Sequence, residues 1–171
     1  LNREPFTSQG TNLMERKVGI VGTPGRISGS AFMSTKALLG SVGNNSGNLV
    51  FQYAVSKSIA EDQMFIGLDL PWEPVAVREH CRVLVIPSAN FLRENFDLAG
   101  FVNFLDKTNL PLVFLGLGAQ ADSFAKSEFN FHPSILRLIA LLRERCKVVG
   151  VRGAYTAELL SRFRVDNVAV I

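Results

Sequence analysis

Arg152 stands in the run KVVGVRG (147–153), which places a permanently charged guanidinium at the end of a segment otherwise suited to a buried strand. Its planar fork of donors can hold a carboxylate or phosphate through two parallel hydrogen bonds, a geometry that lysine does not offer. The run Gly43-Asn44-Asn45-Ser46-Gly47-Asn48 stands at the head of a helical segment. Backbone N–H groups exposed there, at the positive end of the helix dipole, attract an anion or a sugar hydroxyl, and glycine lets the ligand approach the backbone. Two further polar clusters follow apolar runs: Ser88-Ala89-Asn90 after RVLVIP (82–87), and Gly116-Leu117-Gly118-Ala119-Gln120 at the end of PLVFLGLGAQ (111–120). Each feature also has a plain reading. Asn45 or Ser46 can simply cap the helix, Arg152 can reach solvent or pair with Glu158, and LGLGAQ can be a tight turn in which Gln120 caps the next element.

Other chemistries find little support. The glycine-rich run lacks the lysine of a phosphate-binding GxxxxGK[ST] loop, and no GxGxxG follows the first apolar run. His80 and His132 have no partners at metal or triad spacing, and Cys81 and Cys146 lie far apart with no CxxC pair, so both thiols read as reduced core residues. Eighteen basic against fifteen acidic residues give a net charge of +3, with no basic stripe of the kind that marks a nucleic-acid binder. No metal site is expected, and no apolar run is long enough to span a bilayer.

The clusters need a scaffold that brings them together. Residues 1–16 read as a polar, flexible leader, and 17–171 as one domain. KVGIVG (17–22) reads as a buried strand, followed by a long loop with at most one helical turn near Phe32–Leu39. Asn48–Ala60 reads as a helix with Leu49, Tyr53, Ser56 and Ile59 or Ala60 on one face. Strands are expected at 82–87, 111–120, 147–153 and 167–171, and helices at 97–107, 133–146 and 154–163. Phe91, Phe96, Phe101 and Phe104 read as core packing. Alternating helices and doubly apolar strands predict an α/β, Rossmann-like fold, a parallel sheet with helices on both faces. Ligands bind such sheets beyond the carboxyl ends of the strands, where all four polar clusters can converge.

Taken in order, NSGNLVFQYAVSKSI (45–59), LPLVFLGLGAQ (110–120) and VVGVRGAYTAELLSRFRVDNVAVI (148–171) resemble the polysaccharide pyruvyl transferase family. In that family the first segment reads N-x-G-D or N-x-G-N at a helix head, the second ends in a G-x-G-A-Q-like turn, and the third reads V-R-D or V-R-G before a helix and a strand. The resemblance covers roughly residues 40–171. It implies the N-terminal, largely acceptor-side domain of a two-domain architecture like that of the B-type glycosyltransferases. Phosphoenolpyruvate would be the donor substrate, with no other cofactor, and a sugar of a cell-surface or exopolysaccharide the acceptor of a pyruvate ketal. By the same resemblance Asn45, Asn48 and Arg152 are the candidate catalytic residues. Ser46, Gly47, Ser88, Asn90, Gly116, Gly118, Ala119 and Gln120 are the candidate substrate-binding ones.

The sequence departs from the family's pattern at Asn48 and Gly153, where many members carry Asp, so two carboxylates are missing. The chain starts at Leu1 and ends inside the apolar run NVAVI, which reads as a fragment, inactive by itself; the resemblance implies that the donor-binding basic and histidine residues lie in the missing C-terminal half. The expected location is the cytoplasm, peripheral to the inner membrane. Two alternatives stand beside this reading: a nucleotide-sugar glycosyltransferase of similar fold, and a noncatalytic carbohydrate-binding domain.

Overall fold

A computed structural model describes residues 16–22, 25–42, 45–67, 73–121 and 129–171. The expected leader lies outside these residues except for Arg16, whose Nη1 donates to the Arg78 carbonyl at 3.3 Å. Gly43 and Asn44 also lie outside them.

Six strands form one sheet: β1 (Lys17–Val21), β2 (Gln63–Ile66), β3 (Cys81–Pro87), β4 (Leu112–Leu117), β5 (Cys146–Val151) and β6 (Val168–Val170). They run in the order β2-β1-β3-β4-β5-β6, and every pairing is parallel. The chain steps outward from β1 to β2, then crosses back over β1 to β3, so the topological switch lies between β1 and β3. The helices are α1 (Thr35–Ser41), α2 (Gly47–Ser58), α3 (Pro74–His80), α4 (Ala99–Thr108), α5 (Pro133–Arg145) and α6 (Ala154–Arg162).

Strand side chains alternate between two cores, as the period of two requires. Val21, Ile66, Leu84, Ile86, Leu112, Phe114, Val149 and Val151 join Val77 of α3, Leu105 of α4, Leu138 of α5 and Leu160 of α6 in the larger core. Val18, Ile20 and Val85 join Val55 of α2 in a smaller one, flanked by Phe51, Val83, Val113 and Leu115. Helices therefore lie on both faces, four on one and α2 on the other. This asymmetry follows from the topology, because every connection after β2 steps in one direction and right-handed crossovers then fall on one side.

Local chemistry sets the helix ends. Pro133 opens α5, where its missing N–H costs nothing, and the His132 ring accepts from the Ser134 N–H. Asn109 closes α4 in the left-handed conformation, at φ 50°. Arg145 Nε and Nη1 donate to the carbonyls of Leu110 and Leu105 at 2.9 and 2.7 Å, so the end of α5 satisfies the end of α4. Both cysteines are buried.

Four details correct the sequence reading. The loop after β1 holds a 3₁₀ turn at Ser30–Phe32 and two turns of helix in α1, started by Ser34, whose hydroxyl accepts from the Ala37 N–H at 3.2 Å. The buried side of α2 is Val55 with half-buried Phe51, whereas Tyr53 is 52% exposed. Strand β2 and helix α3 fall where no element was expected, and His80 ends α3 instead of lying in a loop. Among the described residues no helix is long and apolar enough to cross a membrane.

Candidate functional site

The carboxyl ends of β3, β4 and β5 point to one edge of the sheet, and the start of α2 faces them across a crevice of about 510 Å³. Asn45, Gly47, Asn48 and Phe51 line it from the α2 side, Ser88 and Ala89 from the end of β3, Gly116 from β4, and Arg152 and Ile171 from the last two strands.

A bulge in β4 shapes the floor. Phe114 pairs with Val149 and Leu117 with Val151, so β4 spends one residue more than β5 between these pairs. Gly116 lies in that step at φ 72°, a left-handed conformation that suits glycine. The bulge leaves the Gly116 carbonyl facing Arg152, whose Nε donates to it at 3.1 Å, while the Arg152 N–H donates to the Leu117 carbonyl at 3.0 Å. The guanidinium is thereby held through its inner nitrogen, and the side chain lines the crevice. Glu158 pairs instead with Arg162 at 2.7 Å, and among the described residues no carboxylate lies within ion-pair distance of Arg152. An arginine held in this way can meet an anion through its fork.

The α2 side is held by local bonds. Asn45 Oδ1 accepts from the Gly47 N–H at 3.0 Å, an Asx turn that starts the helix, and Asn48 Nδ2 donates to the Val42 carbonyl at 3.0 Å. Ser46 is the N-cap residue by position, yet its hydroxyl makes no capping bond, so Asn45 does that work. Ser88 is buried and its Oγ donates to the Leu115 carbonyl at 3.0 Å, tying the end of β3 to β4.

The remaining predicted residues adjoin the crevice without lining it. Gly118 donates its N–H to the Ala89 carbonyl at 2.9 Å, and a Cβ there would meet Asn90 Oδ1 at 2.7 Å. Asn90 Nδ2 donates to Gln120 Oε1 at 3.3 Å, and Gln120 lines a separate polar hollow with Arg93 and Asn95. The Ala119 N–H donates to Thr156 Oγ1 at 3.0 Å, which locks the turn after β4 to α6.

Sequence reasoning missed Phe51, Thr156 and Ile171. Phe51 matters most: its ring packs over Gly116, where a Cβ would lie 2.8 Å from Cζ. The same ring lines a second hollow of about 90 Å³ at the β1/β3 switch, with Val21, Ile86, Phe91 and Phe101. Phe51 therefore divides the crevice into a part under Arg152 and a smaller apolar part. Its sequence signal, an aromatic one turn into a helix that follows a glycine-rich loop, is not distinctive.

The lining of the larger part contains no carboxylate, imidazole or thiol among the described residues. Nor do the described residues gather three or more His, Cys, Asp or Glu side chains that could hold a metal ion. The arrangement can bind and orient an anion that carries hydroxyl or carbonyl groups. It offers Arg152 as the cation and amide or hydroxyl groups as polar partners. No protein-family model, no curated protein and no solved structure matches this chain.

Proposed function

We propose that this chain is the substrate-holding N-terminal domain of a polysaccharide pyruvyl transferase, which moves pyruvate from phosphoenolpyruvate to a sugar as a ketal. The observation that carries the reading is Arg152, anchored by Gly116 and, with no carboxylate partner among the described residues, lining a crevice at the strand ends opposite the start of α2. Phosphoenolpyruvate carries a carboxylate and a phosphate, the two groups that a guanidinium fork binds in bidentate fashion. The Asn45 and Asn48 backbone and amide groups opposite suit sugar hydroxyls.

Ketal formation requires a proton at the donor's methylene carbon. One sugar hydroxyl then attacks the adjacent carbon, and a second displaces phosphate. Arg152 serves this by holding negative charge in place and stabilising the phosphate as it leaves. With no acid or base in the lining among the described residues, the role of these residues is to bind and position, and proton transfer falls to other groups. That same lining favours a second reading, a carbohydrate-binding domain without turnover.

Thermal denaturation of the chain with phosphoenolpyruvate, and separately with nucleotide sugars, tests the proposal. A ligand at about 100 times its dissociation constant adds about 2.7 kcal/mol to stability, which is readily measured. Stabilisation by phosphoenolpyruvate supports pyruvyl transfer. A response only to nucleotide sugars moves the reading to glycosyl transfer, and a response only to free saccharides moves it to binding without turnover.

A further inference from the structure

From Arg16 to Ala60 the chain carries Arg16, Lys17, Arg26, Lys36 and Lys57 and no acidic residue, while the remaining 126 residues carry thirteen basic and fifteen acidic ones. This positive segment includes the excursion between β1 and α2. Neither its 3₁₀ turn nor α1 contains a buried residue. The excursion is nevertheless fastened at both ends. A Cβ on Gly25 would lie 2.4 Å from Tyr53 Cβ, so the chain there rests directly on α2, and the Val42 carbonyl accepts from Asn48 Nδ2.

The excursion and the outer side of α2 expose apolar side chains between these charges. Phe32 is 96% exposed and Val50 70%, and Leu39 and Tyr53 are also exposed. Val50, Tyr53 and Lys57 follow one another at helical spacing along one stripe, and Lys57 Nζ lies 5.5 Å from the Tyr53 ring centroid. No carboxylate among the described residues pairs with Arg26, Lys36 or Lys57.

The geometry points to an anionic lipid surface as the partner of this region: Phe32 and its apolar neighbours enter the interface while Arg26, Lys36 and Lys57 meet the headgroups. Charge sets the sign of the partner, since a 45-residue stretch with five positive and no negative side chains is drawn to negative surfaces only. The protruding apolar groups decide among negative surfaces. A bilayer interface takes up aliphatic as well as aromatic side chains, whereas a nucleic acid stacks its bases on aromatic rings and offers nothing to exposed aliphatic groups such as Leu39 and Val50. The inference is independent of what the crevice holds.

Co-sedimentation of the chain with vesicles tests it, using phosphatidylcholine alone and phosphatidylcholine mixed with phosphatidylglycerol. The expected result is binding to the mixed vesicles only, weakened by added salt. Lys36→Gln should lower the partition coefficient about fivefold, the usual worth of one basic residue near such a surface. Phe32→Ser should lower it several-fold at every salt concentration. Both positions are exposed, so an unchanged melting temperature verifies that each variant is folded. Three results would overturn the inference: no sedimentation with either vesicle, equal binding to both, or binding unaffected by both substitutions. Displacement of the vesicles by a single-stranded oligonucleotide, bound more tightly than the mixed vesicles and weakened by Lys36→Gln, would assign the surface to nucleic acid and overturn it too.

Discussion

Arg152 and Gly116 are joined by one hydrogen bond, Nε to carbonyl oxygen at 3.1 Å, and this bond exists because β4 carries an extra residue at Gly116. A charged side chain from one strand is thus oriented by an irregularity in the next. The bulge, the glycine and the arginine form a unit, and its parts can be removed separately.

Gly116→Ala attacks the backbone end of that unit. The new Cβ would sit 2.8 Å from Phe51 Cζ and 3.3 Å from the Ser88 carbonyl oxygen, at a φ of 72° that alanine tolerates poorly. Strain and overpacking together should cost about 2–4 kcal/mol, read as a lower urea midpoint. Phe51→Leu in the same chain should recover the overpacking share and leave the strain of about 1 kcal/mol or more. Full recovery would show that the left-handed conformation is not what demands glycine there.

Arg152→Lys tests the side-chain end. Lysine keeps the charge but loses both the bond to Gly116 and the bidentate fork, so affinity for phosphoenolpyruvate should fall at least about tenfold, the worth of one charge-assisted hydrogen bond. Arg152→Ala should fall further. The side chain is exposed and has no carboxylate partner among the described residues, so the cost in stability should not exceed that of the lost bond to the Gly116 carbonyl, about 0.5–1.5 kcal/mol. Calorimetric titration of both variants separates the two quantities. Unchanged affinity in both removes Arg152 from the site.

The sheet and its large helices were legible because their patterns are long. RVLVIP, PLVFLGLG and KVVGV are apolar on both faces, and the 13 residues of α5 carry a clear helical stripe. Strand β2, with four residues, and α3, with seven, are too short to show a period. The stripe on α2 was misread for a different reason. Leu49, Val50, Phe51, Tyr53, Ala54 and Val55 place apolar groups all round the helix, so only the sheet beneath selects Phe51 and Val55. In the crevice, residue types pointed to Arg152 and to several of the polar lining residues. They could not reveal that Asn45 and Ser88 spend their side chains on local bonds, or that Phe51 crosses to Gly116, because those are facts of tertiary contact.

Burial raises the Cys146 thiol to about 12, against an ordinary 9.0, and shifts Cys81 upward for the same reason. Both thiols should therefore resist alkylation in the folded chain at pH 8 and react once urea unfolds it. The pH dependence follows in sign. Above about pH 9 the unfolded chain releases these protons while the folded chain retains them, so stability is full below that pH and declines toward about pH 12. Cys81→Ala with Cys146→Ala should flatten the decline in urea midpoints between pH 8 and 11. An identical slope in parent and variant would mean that other groups cause it.

Gly153→Asp places a carboxylate beside Arg152 and separates binding from folding. Gly153 has φ 178°, extended backbone open to any residue, and a Cβ there meets nothing within 4 Å. It is also the N-cap of α6, a position where Asp can accept from the helix's free N–H groups and face the positive end of its dipole. The fold should therefore accept the substitution, with stability unchanged or raised by a few tenths of a kcal/mol. Ligand binding should move the opposite way, because the carboxylate lies next to Arg152 in the chain and competes for its fork. Phosphoenolpyruvate affinity should fall several-fold, and the loss should shrink as added salt screens the new charge. A variant that is as stable as the parent yet binds more tightly would mean that the carboxylate contacts the ligand directly, and that the crevice is built around a hydroxyl-bearing group more than around an anion.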